Sequence, residues 1–213
     1  MIWKPRLPSQ HLEYPTLPLN LRPGAILTLN NIVPLLYKNL DLDWPEGELM
    51  TESVSVQPLF DLMVARAYAI QDKRYYLLQV HCTPGLTVKD ATMFQLAATI
   101  YPGTPEEWGT WLSDIGLIGA PDITTPNGRT YVRDWGDGPQ VSPVAFTEHQ
   151  FTDIQQQPRR EEHKIMLYSR KVEDISEYLL LSADNSIDKT LVRAWIGVNL
   201  GPIGLVGSNL IVY

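Results

Sequence analysis

The final twenty residues, Ala194 to Tyr213, carry no charged side chain, yet Gly197, Gly201, Pro202, Gly204 and Gly207 interrupt them. About twenty apolar residues would suffice to cross a bilayer as a helix. Here the proline, the glycines and the amides of Asn199 and Asn209 would leave polar groups unpaired in hydrocarbon, whereas paired strands satisfy them. The tail therefore predicts buried, hydrogen-bonded strands and no transmembrane segment.

The same punctuation runs upstream. Pro23-Gly24 opens a strand over Ala25 to Leu29, and Ile32 to Tyr37 reads as a second short strand. Further strands are expected at Glu52 to Phe60, Leu62 to Ile70 and Tyr75 to Cys82, with Asp72-Lys73-Arg74 as a hairpin turn. Tyr76, Leu78, Val80 and Cys82 alternate with Tyr75, Leu77, Gln79 and His81, the two-residue period of a strand. Met93 to Tyr101 suits a helix by its alanines and a strand by its period; it is read as a strand. One helix is expected at about 104–115, where Thr104-Pro105-Glu106-Glu107 supplies an N-cap, a first-turn proline and a capping glutamate. Trp108, Trp111, Leu112 and Ile115 then form its apolar stripe, and Gly116 stands where a left-handed cap is wanted. Asn127-Gly128 predicts a tight turn, followed by strands at Arg129 to Arg133, Val144 to Thr152, His163 to Arg170, Glu177 to Ala183 and Thr190 to Leu200.

This pattern predicts a mainly β protein, with α+β also open, built as an antiparallel sandwich or barrel-like sheet with one amphipathic helix. Prolines 5, 8, 15, 18 and 23 mark residues 1–20 as an extended arm over the surface, ahead of one globular domain at 21–213.

Seventeen Lys+Arg against twenty-four Asp+Glu give a net charge of −7, which disfavours binding to nucleic acid. The densest basic run, Arg159, Arg160 and Lys164, is interleaved with Glu161 and Glu162, so its field is weak. The single cysteine, Cys82, excludes an internal disulfide and a thiolate-rich zinc site. No apolar run at the start resembles a secretory signal, and a cytoplasmic location is expected.

No catalytic, cofactor-binding or metal-binding residue is singled out. His81 and Cys82 are strand neighbours and diverge, which leaves Cys82 a buried thiol. His11, His81, His149 and His163 show no metal-ligand spacing, and Glu148-His149 and Glu162-His163 diverge for the same reason. Asp134 and Asp137 read as turn residues, and no nucleophile elbow or phosphate loop occurs. Trp3, Trp44 and Trp135 either fold back on the domain or anchor a partner.

Several stretches in order, among them Leu17 to Ala25, Tyr75 to Val80, Ile115 to Pro121, Arg133 to Gly136, Ala145 to Glu148, Met166 to Arg170, Glu177 to Leu180 and Val198 to Leu200, resemble the bacterial YjfK-like family of uncharacterised proteins. The resemblance implies a cytoplasmic protein with no assigned activity, a companion of phage-shock-type coiled-coil proteins in a membrane-stress system. It supplies no site residues.

The expected function is a non-enzymatic accessory or protein-interaction module with no cofactor, binding through sheet edges, aromatic loops or the proline-rich arm. The alternative is a hydrolase or metal-dependent enzyme whose site gathers dispersed histidines and carboxylates. Peripheral membrane attachment is a third reading. A deep cleft lined by clustered ionisable groups would speak against the interaction module, and a filled sandwich for it.

Overall fold

Antiparallel neighbours need only short connections, and in this chain Phe60, Asp72, Lys73, Leu86, Gly128 and Glu173, all at positive φ, lie in such connections. The computed structural model describes residues 13–30, 32–40, 42–186, 189–201 and 210–213. Residues 1–12 of the arm, with Trp3 and His11, and residues 202–209 of the uncharged tail lie outside that set. Among the described residues twelve strands form one antiparallel sheet: β1 (Ile26–Leu29), β2 (Glu48–Leu59), β3 (Leu62–Gln71), β4 (Arg74–Cys82), β5 (Val88–Ile100), β6 (Asp122–Thr124), β7 (Thr130–Arg133), β8 (Val144–Gln150), β9 (Arg159–Val172), β10 (Ile175–Ser186), β11 (Lys189–Asn199) and β12 (Leu210–Val212). Their order is β12-β1-β2-β3-β4-β5-β11-β10-β9-β7-β6, and β8 also pairs with the long β9. The β3–β4 hairpin turns through Asp72 and Lys73, both at positive φ, the geometry that matches strand twist.

The protein is mainly β, as expected, in one large sheet that does not close into a barrel. Instead the sheet folds over. An isolated bridge, in which Val54 and Phe151 exchange N–H···O bonds of 2.9 and 2.8 Å, brings the end of β8 back to β2. Inner-face residues Val64, Leu77 and Phe94 of the first half thereby pack with Phe146, Ile165, Leu180 and Trp195 of the second. Glycine is required at 197, opposite Phe94, because a Cβ there would overlap the phenylalanine ring.

Each half also buries its outer face. Leu27, Val54, Ala65, Ala67, Leu78 and Val80 pack beneath Leu17, Leu21 and Val33. The described part of the arm is thus held against the sheet: Leu17 is buried, as is Leu21 just beyond the arm, and Tyr14 meets the Phe151 ring edge-on at 5.2 Å. Opposite, Met166, Tyr168, Leu179 and Leu181 pack beneath Ile118, Trp108 and Trp111.

Three local expectations are corrected. Ile32–Leu36 is a short helix, α1, not a strand. Asn30 accepts at its start from Val33 N–H at 2.8 Å, and Pro34 fits the first turn, where a missing N–H costs nothing. The second helix, α2 (Pro105–Leu112), begins as expected, with Thr104 accepting from Glu107 N–H at 3.2 Å, but ends one turn early. Ile115 consequently stands 90% exposed and does not complete the apolar stripe. Gly116 is not a left-handed cap; its glycine is needed because a Cβ would lie 2.6 Å from the Trp111 carbonyl oxygen. Trp44 stacks on Tyr37 and Trp135 packs in the α2-side core, so both fold back on the domain.

Candidate functional site

Alternation along the strands turns a set of polar residues inward. Ser55 on β2, Arg66 and Tyr68 on β3, Gln79 on β4, Glu148 on β8, His163 on β9 and Ser182 and Asp184 on β10 share the inner face with the apolar residues named above. The fold-over brings them together. Glu148, 1% exposed, is the hub: it accepts from Ser55 Oγ at 3.1 Å, Arg66 Nη1 at 3.0 Å, Tyr68 Oη at 2.8 Å and His163 Nε2 at 3.2 Å. The other ring nitrogen of His163 bonds to Asp184 Oδ1. Asp184 in turn accepts from Ser182 Oγ at 3.3 Å and Arg193 Nη1 at 2.5 Å. Arg66, 3% exposed, also donates from Nε to Gln79 at 2.9 Å and lies 4.3 Å over the Phe146 ring.

Burial alone would neutralise these groups, and their mutual contacts overcome it. Burial pushes the Glu148 carboxyl up, but the charge of Arg66, the hydrogen bond and charge of His163 and the Tyr68 hydroxyl hold it at about 2. Burial pulls the His163 imidazole down, while hydrogen bonds to Asp184 and Glu148 and their charges lift it to about 9. His163 is therefore an imidazolium clamped between two carboxylates near neutral pH. Burial, with Glu148, also raises the Tyr68 phenol, which stays a neutral donor.

The sign of the pH dependence follows. His163 binds its proton more tightly folded than unfolded, so its stabilisation, on the order of 3 kcal/mol, is complete below about 6.5 and lost as pH rises through about 9. Glu148 is the converse: its contribution is present above about 4.5 and lost as pH falls through about 2. One contact underlies both, so the two do not sum. Urea midpoints are expected to be highest between pH 4.5 and 6.5 and to fall from 6.5 to 9, with His163→Gln flattening the alkaline limb; an unchanged limb in that variant would refute the clamp.

Above the network opens a cavity of about 570 Å³, lined among others by Trp195, Tyr75, Tyr101, Arg159, Arg193 and Leu191. At the other end of the same interior a smaller, apolar cavity of about 210 Å³ shares Arg66 and Leu180 with it.

Of the histidines and acids considered from sequence that lie among the described residues, the fold joins His163 and Glu148 and keeps His81, His149, Asp134 and Glu162 apart from them. His149 follows Glu148 on β8 and points to the opposite face. His81 pairs with Asp90 at 2.7 Å beside the apolar cavity. Cys82 is fully buried, and burial pushes its thiol up. Asp134 accepts from Ser169 Oγ at 3.1 Å, and Arg160 pairs with Glu162. Among the described residues no three His, Cys, Asp or Glu side chains converge as metal ligands; His163 stands between its two carboxylates. Sequence reasoning passed over Arg66, Tyr68, Asp184 and Arg193. The available signal was a charge inside an alternating apolar strand, as in Val64-Ala65-Arg66-Ala67.

In the described residues no helix is long and apolar enough to cross a membrane. A family model described as "Protein of unknown function (DUF2491)" matches residues 4–205. No curated protein and no solved structure matches the chain.

Proposed function

The chain belongs to the DUF2491 family of proteins of unknown function, and from its site we propose that it is a non-catalytic accessory module that binds a small polar ligand in the 570 Å³ cavity. Pockets for small molecules commonly span about 300–1,000 Å³. A cavity over clustered ionisable groups tells against a filled sandwich that docks partners only through its edges, so the reading moves from surface docking to ligand binding.

The observation that carries it is mutual saturation. Both ring nitrogens of His163 are held by carboxylates, and both oxygens of Glu148 accept hydrogen bonds, so a bound molecule meets no free imidazole lone pair to take its proton. The second reading, a hydrolase or metal-dependent enzyme, is favoured by the meeting of Glu148, His163 and Asp184. It requires His163 to give up one carboxylate. The YjfK-like resemblance supports a cytoplasmic setting beside a phage-shock-type partner in a membrane-stress system.

Native mass spectrometry of the purified full chain tests the proposal. A bound mass of small-molecule size, released chemically unchanged on denaturation and lost in Trp195→Arg, is expected. No bound mass, or steady turnover of ester, phosphoester or glycoside substrates that His163→Ala abolishes, would overturn it.

A further inference from the structure

Resting on that binding reading, we infer that the cavity takes a neutral, polyhydroxylated ring: a saccharide, free or as the headgroup of a glycolipid. The argument is one of exclusion by charge. Every cationic side chain on the wall already holds a carboxylate within hydrogen-bond distance. Arg66 holds Glu148 at 3.0 Å, Arg159 holds Glu161 at 2.5 Å, Arg193 holds Asp184 at 2.5 Å, and His163 is held by Glu148 and Asp184. An incoming anion must compete with partners tethered by the fold itself, and an incoming cation meets, apart from the exposed Glu52, carboxylates already engaged by arginines. Glu52, the remaining acid of the wall, brings the carboxylates to four against these four cations, so the wall projects little net field to draw in an ion.

A purely apolar ligand fares no better, since it would lie against the guanidinium and carboxylate edges without satisfying them. What remains is a molecule with one greasy face and a rim of groups that both donate and accept. Sugar rings have that form. Trp195, Tyr75 and Tyr101 supply aromatic surfaces for the C–H face, and Leu77, Leu96 and Leu191 continue them. The rim arginines, held in place by their carboxylates, offer donors in a fixed planar arrangement. Tyr101 is 72% exposed and stands at the rim, placed to cover a ligand that has entered.

Isothermal titration calorimetry of the full chain with maltose, chitobiose, octyl glucoside below its micelle concentration, glucose 6-phosphate and inorganic phosphate tests the inference. Saturable binding of at least one neutral probe is expected, changing less than twofold between 50 and 500 mM NaCl and weakening about tenfold in Trp195→Ala. Tyr101→Ala, at an exposed position that does not threaten folding, is expected to weaken it about threefold. Tighter binding of octyl glucoside than of either disaccharide identifies a glycolipid headgroup, and the reverse identifies a free saccharide. Glucose 6-phosphate or phosphate binding more tightly than every neutral probe, or no neutral probe saturating, would overturn the inference. If no sugar binds while native mass spectrometry still finds a bound mass, the saccharide class falls and the binding module stands. If a bound sugar is cleaved, the non-catalytic reading falls and the saccharide class stands.

Discussion

Replacing Arg66 with alanine is expected to destabilise the protein by about 3–5 kcal/mol, because it leaves Glu148 buried without its closest full positive charge. Three further losses accompany it. Gln79 Oε1 loses its donor, the Phe146 ring loses the cation above it, and a void opens between the two halves of the sheet. Ser55, Tyr68 and His163 still bond to Glu148, so the expected outcome is a weakened fold with the Glu148 carboxyl raised, not outright unfolding. A double-mutant cycle separates the charge effect from the packing effect. Arg66→Met with Glu148→Met removes the uncompensated charge and is expected to be less destabilised than the sum of its single variants by at least about 1 kcal/mol. Urea unfolding reads both quantities, and an Arg66→Ala midpoint indistinguishable from the parent would sink the claim that this pair anchors the interior.

The second large effect is expected at Gly119, where alanine should cost about 4 kcal/mol or more and lower the melting temperature by roughly 10 °C. Its φ of +113° is open essentially to glycine alone, and a Cβ would fall on the carbonyl oxygen of Val141. Neither segment can withdraw cheaply. Gly119 N–H donates to Tyr168 Oη at 2.8 Å, its carbonyl accepts from Arg133 Nη1 at 2.5 Å, and Val141 N–H donates back to it at 3.0 Å. This crossing holds the loop after α2 onto the outer face of β9, one residue out of phase with the inward series that contains His163. Gly128 is the control. It also has positive φ, at +79°, but nothing crowds its Cβ, so alanine there is expected to cost only about 1 kcal/mol. Thermal unfolding followed by circular dichroism compares the two, and equal losses would show that crowding at Gly119 contributes nothing.

Much of the strand pattern was legible in the sequence because period-two alternation and turn residues act locally. β3, β4 and β5 lie where alternation put them, and α2 starts at the threonine that caps it. The failures were also local in origin. Ile32–Leu36 is rich in residues that suit a strand, yet the chain closes a helical turn there, with Val33 N–H donating to the backbone carbonyl of residue 30 and Pro34 tolerated in the first turn. Ile115 continued the helical spacing on paper, but the chain leaves the helix at Ser113 and the stripe stops.

The candidate site was far less legible. His163 and Glu148 are visible in the sequence as a histidine and an acid, but strand geometry separates each from the ionisable residue beside it in sequence. Their real partners are 15 to 93 residues away along the chain. Arg66 shows in the sequence only as a charge among apolar residues, which does not say whether it faces water or a buried carboxylate, and Asp184 carries no motif.

Residue order alone determined which side chains share a strand face, because successive Cβ atoms alternate whatever the strand later meets. It also determined the strand-rich class, because glycine and proline forbid long helices in the uncharged tail. Only the tertiary structure decided which faces meet: the return of Phe151 to Val54 folds the sheet over, and the resulting low-dielectric interior makes charges from β3, β8, β9, β10 and β11 solvate one another, since water cannot.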